Sequence, residues 1–159
     1  MTVKFTDIQF VTNCEGVRLT IPVAVSQKSF QDERKTMGKA STNALEIVQA
    51  FQKAVGSGDF AGARKLLHDN LSFRGPIDTF DAPEPYLESL KKLQQIVARV
   101  DMRKVFVDSD DVCLLYDMVT NTPAGTAFIA EWHHVQGKKI TSIRVVFDAR
   151  PFAAMFAKK

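Results

Sequence analysis

The sequence predicts an α+β domain in which the helices come first and an antiparallel sheet follows. Apolar residues recur at helical spacing from Ala44 to Val97. From Met102 to Asp148 they alternate with polar residues instead, as in strands that bury one face. Helices followed by consecutive strands are typical of α+β domains and not of alternating β-α-β units, so a Rossmann fold is not expected.

The composition is that of one ordinary globular domain. The chain has 159 residues, of which 45% are hydrophobic and 25% are charged. A net charge of +3, with lysines spread along the chain, does not favour nucleic acid as a partner. No export signal or apolar run of roughly 18 residues is visible, so we expect a cytoplasmic protein with no membrane partner. Cys14 and Cys113 lie far apart and form no C-x-x-C pair; a reduced chain is the simpler interpretation, and one bridge stays open.

Three regions are expected along the chain. Residues 1–42 are predicted to form a β-hairpin followed by a polar linker, because apolar residues alternate on both sides of a turn at 13–16. Residues 43–152 carry the helical and strand patterns and form the α+β domain. Residues 153–159 form a C-terminal tail.

The helical pattern divides into three helices. The first runs from Ala44 to the turn at 56–58, and Asp59 is the expected N-cap of the second. Residues 71–74 are a short extended segment. The third helix begins after Asp81, its expected cap, with a glutamate at the capping-box position.

The period-two region divides into four strands separated by turn residues. The predicted strands are Met102–Val107, Val112–Thr120, Thr126–Val135 and Ile140–Asp148.

Three stretches carry a resemblance to a known family: ALEIVQAFQKAVGSGDFAGARKLLHDNLSFRGP, PYLESLKKL and AEWHHVQGKKITSIRVVFDARPF. Together with the element order, residues 43–152 resemble the SnoaL-like branch of the nuclear transport factor 2 superfamily. The resemblance implies a cystatin-like cone, with a curved antiparallel sheet, three helices and one deep pocket. It also implies a homodimer through the convex face of the sheet. The superfamily includes ketosteroid isomerases, polyketide cyclases, epoxide hydrolases and members that only bind, so the chemistry stays open.

Strand parity selects the candidate catalytic residues. A tight turn centred on Gly137-Lys138 pairs Val135 with Ile140, and therefore Glu131 with Arg144. The longer loop before it places Asp117 beside Glu131 or one step away. Two carboxylates in an apolar cleft cannot both ionise easily, so they can supply an acid beside a base, and an arginine would fix their geometry. We therefore predict Glu131, Asp117 and Arg144 as a catalytic set, the alternative being a cross-strand ion pair without function.

Four further residues are candidates for substrate contacts: Asp148, Arg74, Tyr86 and His133. Asp148 keeps the parity of Arg144, and Arg74 is placed to bind an anionic group at the pocket rim. The resemblance implies that Glu131 stands where SnoaL-like cyclases carry their acid/base aspartate. No carboxylate directly follows the first short strand, which disfavours steroid isomerase chemistry. The other face carries aromatic residues such as Tyr116 and Trp132, expected to pack in the sheet or the dimer.

Neither a metal nor a cofactor is expected. His133 and His134 are adjacent on a strand, so they point to opposite faces and cannot hold one metal together. The sequence contains no glycine-rich phosphate loop.

Two functions rank nearly equally on these observations. The first is a cofactor-free acid/base enzyme, of isomerase, cyclase or epoxide hydrolase type, acting on a mostly apolar, oxygen-bearing small molecule. The second is a non-catalytic domain with the same pocket. A dimerisation module that works through its aromatic sheet face is the third interpretation.

Overall fold

The computed structural model describes residues 43–152, and the predicted N-terminal hairpin, the linker and the C-terminal tail lie outside these residues. Three helices pack against one face of a six-stranded sheet, as the α+β prediction requires. They are α1 (43–56), α2 (Phe60–Leu66) and α3 (Pro83–Gln94). None of them combines the length and hydropathy needed to cross a membrane.

The sheet is mixed, with the order β2-β1-β6-β5-β4-β3. Strands β3 to β6 form the predicted antiparallel meander, while β1 pairs with β6 in parallel. A 3₁₀ turn, Arg150–Phe152, follows the last strand. The strands are β1 (Leu67–Arg74), β2 (Thr79–Phe80), β3 (Val97–Asp108), β4 (Asp111–Thr120), β5 (Thr126–Gln136) and β6 (Lys139–Val146).

The two predicted helix caps differ in outcome. Asp59 caps α2, because its carboxylate accepts a hydrogen bond from the backbone N–H of Gly62 at 2.8 Å. Asp81 does not cap α3: Ala82 occupies the N-cap without a side-chain bond, and Asp81 binds Arg74 at 2.6 Å instead. The carboxylate of Asp81 therefore forms an ion pair with Arg74 instead of the predicted cap of α3.

The β5–β6 hairpin contains an irregularity that changes which residues share a face. Its turn is as predicted, with Gly137 and Lys138 both at positive φ (58° and 67°) and Val135 opposite Ile140. The register then shifts between His134 and Val135, so Glu131 lies opposite Val145 and not opposite Arg144. One extra residue in β6 reverses the parity of every residue beyond it.

The β4–β5 pairing also differs from the expected register. Leu114 lies opposite Glu131, and Asp117 lies opposite Phe128. Because directly paired residues share a face, Glu131 belongs to the inner face, which packs on the helices, and Asp117 belongs to the outer face. Trp132 lies on the outer face, whereas Tyr116, which was predicted on the same face as Trp132, lies on the inner face.

The core lies between the helices and the inner face of the sheet. Its largest fully buried apolar side chains include Phe51 of α1, Leu67 and Leu71 of β1, and Ile140 and Ile143 of β6. All of them belong to one contiguous cluster, so α1 is held to the sheet by direct apolar packing.

Candidate functional site

A cavity of about 890 Å³ opens between α3, the β1–β2 turn and the inner face of the sheet. Most of its lining is apolar, with charged groups from α3 and from the β1–β2 turn. A volume of this size and character is that of a small-molecule pocket. The residues that line it are Phe73, Gly75, Pro76, Ile77, Asp78, Phe80, Pro85, Tyr86, Glu88, Ser89, Leu90, Lys92, Leu93, Ile96, Tyr116, Met118, Ile129, Glu131, Val145, Phe147 and Phe152.

Stacked aromatic rings form one wall of the cavity. The ring centroids of Phe73 and Tyr86 lie 4.6 Å apart, and those of Phe73 and Phe80 lie 5.7 Å apart. Phe147 and Phe152 form an edge-to-face pair in another part of the lining, with centroids 5.7 Å apart. These rings give the cavity rigid flat surfaces, which suit a ligand with a flat apolar body.

Glu131 is the carboxylate that reaches this cavity from the sheet. Its residue is only 5% exposed, and its Oε2 accepts hydrogen bonds from the Tyr116 hydroxyl at 2.8 Å and from the Gln52 side-chain amide at 3.2 Å. The donors come from β4 and α1, so two different elements orient one carboxylate on β5. A buried polar group held in this way is fixed in direction before any ligand arrives.

The charge state of Glu131 follows from a competition between burial and its partners. Burial raises the pKa of Glu131, but His133 and the hydrogen bonds from Tyr116 and Gln52 outweigh burial and lower the pKa below its ordinary value. Burial and the nearby Glu131 charge raise the pKa values of Tyr86 and Tyr116 well above the ordinary value for tyrosine. The site therefore combines an ionised carboxylate with two neutral phenols.

Tyr86, one of the predicted substrate contacts, lies on α3, is 3% exposed and lines the cavity. Its hydroxyl donates no hydrogen bond to any residue of the described range, 43–152. A phenol in this state is available to donate to an oxygen atom of a ligand.

His133 lies beside the cavity rather than in its lining. It is fully buried and shares the inner face with Glu131, and its Nε2 lies 3.3 Å from Glu131 Oε1. Phe51 packs against the imidazole with 6.3 Å between ring centroids. His133 therefore touches the carboxylate and does not reach the space that a substrate would occupy.

The predicted grouping of Glu131 with Asp117 and Arg144 is wrong. Asp117 lies on the outer face and binds Arg103, whose Nε donates at 2.8 Å. Arg144 lies opposite Trp132 and is exposed on the same outer face. Two differences in register explain this result. The shift in the β5–β6 hairpin places Arg144 on the outer face, and a β4–β5 register different from the predicted one places Asp117 there.

Arg74 and Asp148, like His133, do not line this cavity. Arg74 donates to the backbone carbonyl oxygens of Phe73 and Phe80 and pairs with Asp81. Asp148 binds Arg150 at 2.6 Å, which lowers the pKa of Asp148 to about 2. Both side chains hold backbone segments next to the cavity instead of facing it.

Sequence reasoning missed Tyr116 and Gln52 as parts of the site. Tyr116 was assigned to packing because its face was judged by the wrong β4–β5 register. Gln52 follows Phe51 on α1, and no local pattern shows that its amide reaches a carboxylate 79 positions away. A register with Leu114 opposite Glu131 would have revealed Tyr116, since residues two apart share a face.

The described part of the chain holds no cluster of three or more histidine, cysteine, aspartate or glutamate side chains arranged to bind a metal ion. Burial, with the charge of Glu131, raises the pKa of the Cys113 thiol, so this cysteine is not activated as a nucleophile.

Comparison with known proteins identifies the family. The model of the SnoaL-like domain matches residues 48–143, which is more than half of the chain. The chain belongs to the SnoaL-like family. A search of curated proteins finds no match at a significant level.

Solved structures agree with this assignment to the SnoaL-like family. An NTF2-like protein of unknown function from Cytophaga hutchinsonii is 30% identical, with a TM-score of 0.59, and the alignment covers 69% of this chain and 93% of that one. A protein from Kribbella flavida is 26% identical, with a TM-score of 0.66 and coverage of 72% and 93%. An LEH-like epoxide hydrolase from M. tuberculosis, at 21% identity, TM-score 0.60 and coverage of 69% and 85%, shares the fold. The SnoaL-like fold suits a small-molecule binding domain.

Proposed function

We propose that this SnoaL-like domain binds a mostly apolar, oxygen-bearing small molecule and moves a proton on it, with Glu131 as the general base. The observation that carries the proposal is a buried carboxylate, held by hydrogen bonds from Tyr116 and Gln52, that lines an aromatic cavity. Catalytic carboxylates are commonly found in such surroundings, since a dry site strengthens their interaction with a reacting group.

The arrangement favours proton transfer next to a carbonyl group. Glu131 would take a proton from the carbon beside the carbonyl, the electron pair of the C–H bond would pass to the carbonyl oxygen, and the enolate would be reprotonated at carbon. The Tyr86 hydroxyl, which has no acceptor among residues 43–152, would donate to the developing oxyanion. With Asp117 and Arg144 on the outer face, the predicted catalytic set of two carboxylates and a guanidinium is not assembled around this cavity.

A test uses β-tetralone, a bicyclic ketone with acidic hydrogens beside its carbonyl group. We expect the protein to accelerate exchange of these hydrogens in deuterium oxide, measured by proton NMR. Glu131→Gln keeps the shape of the side chain and removes the base, so we expect it to slow the exchange by roughly 10²-fold or more. Asp117→Asn, on the outer face, is the matched control and should exchange β-tetralone at the wild-type rate.

Two other outcomes would contradict the catalytic part of this proposal. If β-tetralone shifts the amide signals of the cavity residues but its exchange is not accelerated, the domain is a non-catalytic binder. That second function is favoured by the cavity wall, whose stacked rings bind an apolar body without any chemistry. If Glu131→Gln exchanges the ketone as fast as the wild type, Glu131 is not the base.

We also propose a homodimer that forms through the outer face. Large apolar side chains on this face remain exposed, notably Phe128 at 57% and Trp132 at 48%. Exposed aromatic residues on one side of a sheet are typical of a protein–protein contact.

A further inference from the structure

Within the described residues, His133 carries an unexplained feature: its imidazole is fully buried, yet neither ring nitrogen makes an aligned hydrogen bond to a described residue. Buried polar groups without partners cost free energy and are rare. The ring lies between Val112 of β4 and Ile143 of β6, its two register partners, with Phe51 of α1 against it. Apolar side chains surround the ring on these sides, and they give no reason to keep a histidine here.

One polar atom lies close enough to account for this histidine. Glu131 Oε1 is 3.3 Å from His133 Nε2, whereas Oε2 of the same carboxylate already accepts from Tyr116 and Gln52. Oε1 is therefore the oxygen that lacks a donor of its own, and Nε2 is the nearest candidate. A small rotation of either side chain would align the N–H with this oxygen.

We infer that His133 is a positioning residue for Glu131: its Nε2–H supplies the third donor to the carboxylate and keeps it ionised and directed at the cavity. The inference deepens the proposed function and rests on it, because the positioned carboxylate is the group proposed to move the proton. His133 acts through Glu131 and does not touch the ligand.

Within residues 43–152, no cation other than His133 contacts Glu131; Lys92 of α3 lines the same cavity but makes no hydrogen bond or ion pair with this carboxylate. The ionisable groups from the described elements around Glu131 are Tyr116 of β4, Tyr86 of α3 and Cys113, whose pKa values are all raised, so they stay neutral. The neighbours from α1, Gln52 and Phe51, do not titrate. Of these described groups, only His133 can carry a positive charge.

The first measurement is made on the wild type, and a variant serves only to assign the signal. The sequence has three histidines, so ¹⁵N-labelled histidine gives a small set of signals, and His133→Gln assigns the one that matters. We expect Nε2 of His133 to carry a proton throughout the neutral range, either in the neutral Nε2–H tautomer or in the imidazolium form. A wild-type His133 with an unprotonated Nε2 would overturn the inference, because such an atom cannot donate.

The second measurement follows the ionisation of Glu131 by ¹³C NMR of labelled glutamate carboxyl groups, assigned with Glu131→Gln. His133→Leu removes the donor and should raise the pKa of Glu131. His133→Gln keeps an N–H in reach and should leave it near the wild-type value. Equal values in the two variants would contradict the positioning role.

The pH profile of β-tetralone exchange separates positioning from simple stability. We expect His133→Leu to shift the profile to higher pH and to recover its rate when the pH is raised, whereas structural damage would lower the rate at every pH. If the wild type shows no exchange but His133 holds Nε2–H and Glu131 titrates low, the proposed function fails and the His133–Glu131 contact stands. If exchange depends on Glu131 but His133→Leu leaves its pH profile unchanged, the proposed function stands and the positioning role of His133 is wrong.

Discussion

Glu131 shows how a few contacts decide the charge of one buried residue. Burial alone would favour its neutral form, but His133 and the donors from Tyr116 and Gln52 favour the ionised form more strongly. Glu131 is therefore in the form that accepts a proton, but its lowered pKa makes it a weaker base than an ordinary glutamate, so a donor to the developing oxyanion has to assist it.

The same contacts predict a pH dependence of stability. They lower the pKa of folded Glu131 below its ordinary value of 4.5, so they stabilise the fold above that pH and stop doing so as the pH falls through the lower value. We expect the free energy of unfolding, from urea titration, to fall more steeply below pH 4.5 in the wild type than in Glu131→Gln. Parallel slopes would show that the folded and unfolded pKa values are equal.

Tyr116 allows a second prediction at this scale. Tyr116→Phe removes the 2.8 Å hydrogen bond to Glu131 while keeping the aromatic ring, so the carboxylate loses one of its donors. We expect the pKa of Glu131 to rise and the domain to lose about 1–3 kcal/mol of stability, measured by ¹³C NMR and urea unfolding. An unchanged pKa would mean that the phenol does not support the charge.

The sequence predicted cavity residues only where the face on which a residue lies could be inferred from its own strand or helix. Glu131 and Tyr86 could be selected as cavity residues because a glutamate on an apolar strand and a tyrosine on an amphipathic helix are visible locally. Arg144 could not be placed, since one extra residue in β6 reverses its face and leaves no pattern in the sequence. Gln52 depends on a contact between distant segments, which local periodicity does not contain.

At the scale of elements, two aspartates preceding helices test what a cap contributes. Asp59 accepts a hydrogen bond from the Gly62 N–H, and Asp81 forms only an exposed ion pair with Arg74. We expect Asp59→Ala to cost about 1 kcal/mol and Asp81→Ala less than that, from urea unfolding. Asp59→Ser, which can still cap, should recover most of the loss; equal costs for both alanine variants would contradict this assignment.

Substitutions of Gly137 and Gly56 measure the cost of a strained backbone conformation without any steric clash. A Cβ at Gly137 or at Gly56 would meet nothing within 4 Å, but Gly137 has a φ of +58° and Gly56 is helical. We expect Gly137→Ala to destabilise the domain by about 1 kcal/mol, because the left-handed conformation is strained for other residues. Gly56→Ala should be neutral or stabilising, because alanine favours the helix. Thermal unfolding of both variants measures the difference.

The ends of elements were predictable where a side chain marks them. Asp59 and the Gly137-Lys138 turn carry local chemistry, and both were placed correctly. The start of β1 at Leu67 was not, because His68-Asp69-Asn70 resembles a helix end and becomes a strand by pairing with β6. Pairing with a distant strand overrides local preference in such segments.

For the whole molecule, the proposed homodimer gives a clear prediction. Trp132→Lys places a charge in the middle of the exposed apolar outer face, so we expect it to convert a dimer into a monomer in light scattering after size-exclusion chromatography. Val100→Lys is the matched control: Val100 is as exposed, at 49%, but pairs with Met118 on the inner side. If the wild type elutes as a monomer, or if both variants behave alike, the outer face is not the contact.

The fold class and the family could be predicted because both follow from the order of helices and strands along the chain. This order does not depend on the strand registers, so an error in register leaves it unchanged. The parallel β1–β6 pair was not predictable, since β1 and β6 are separated by four other strands in sequence.

That pairing has a consequence for how the chain is made. Strand β6 leaves the ribosome last of the six, yet it lies between β1 and β5 in the sheet. Until β6 is synthesised, β1 and β2 have no strand that pairs them with the meander, because β1 pairs only with β2 and β6 among the described strands. The cavity walls from α3 and β2 and its floor from β4 and β5 therefore come together only once β6 is available, so we expect the pairing of β6 to be a late step in folding.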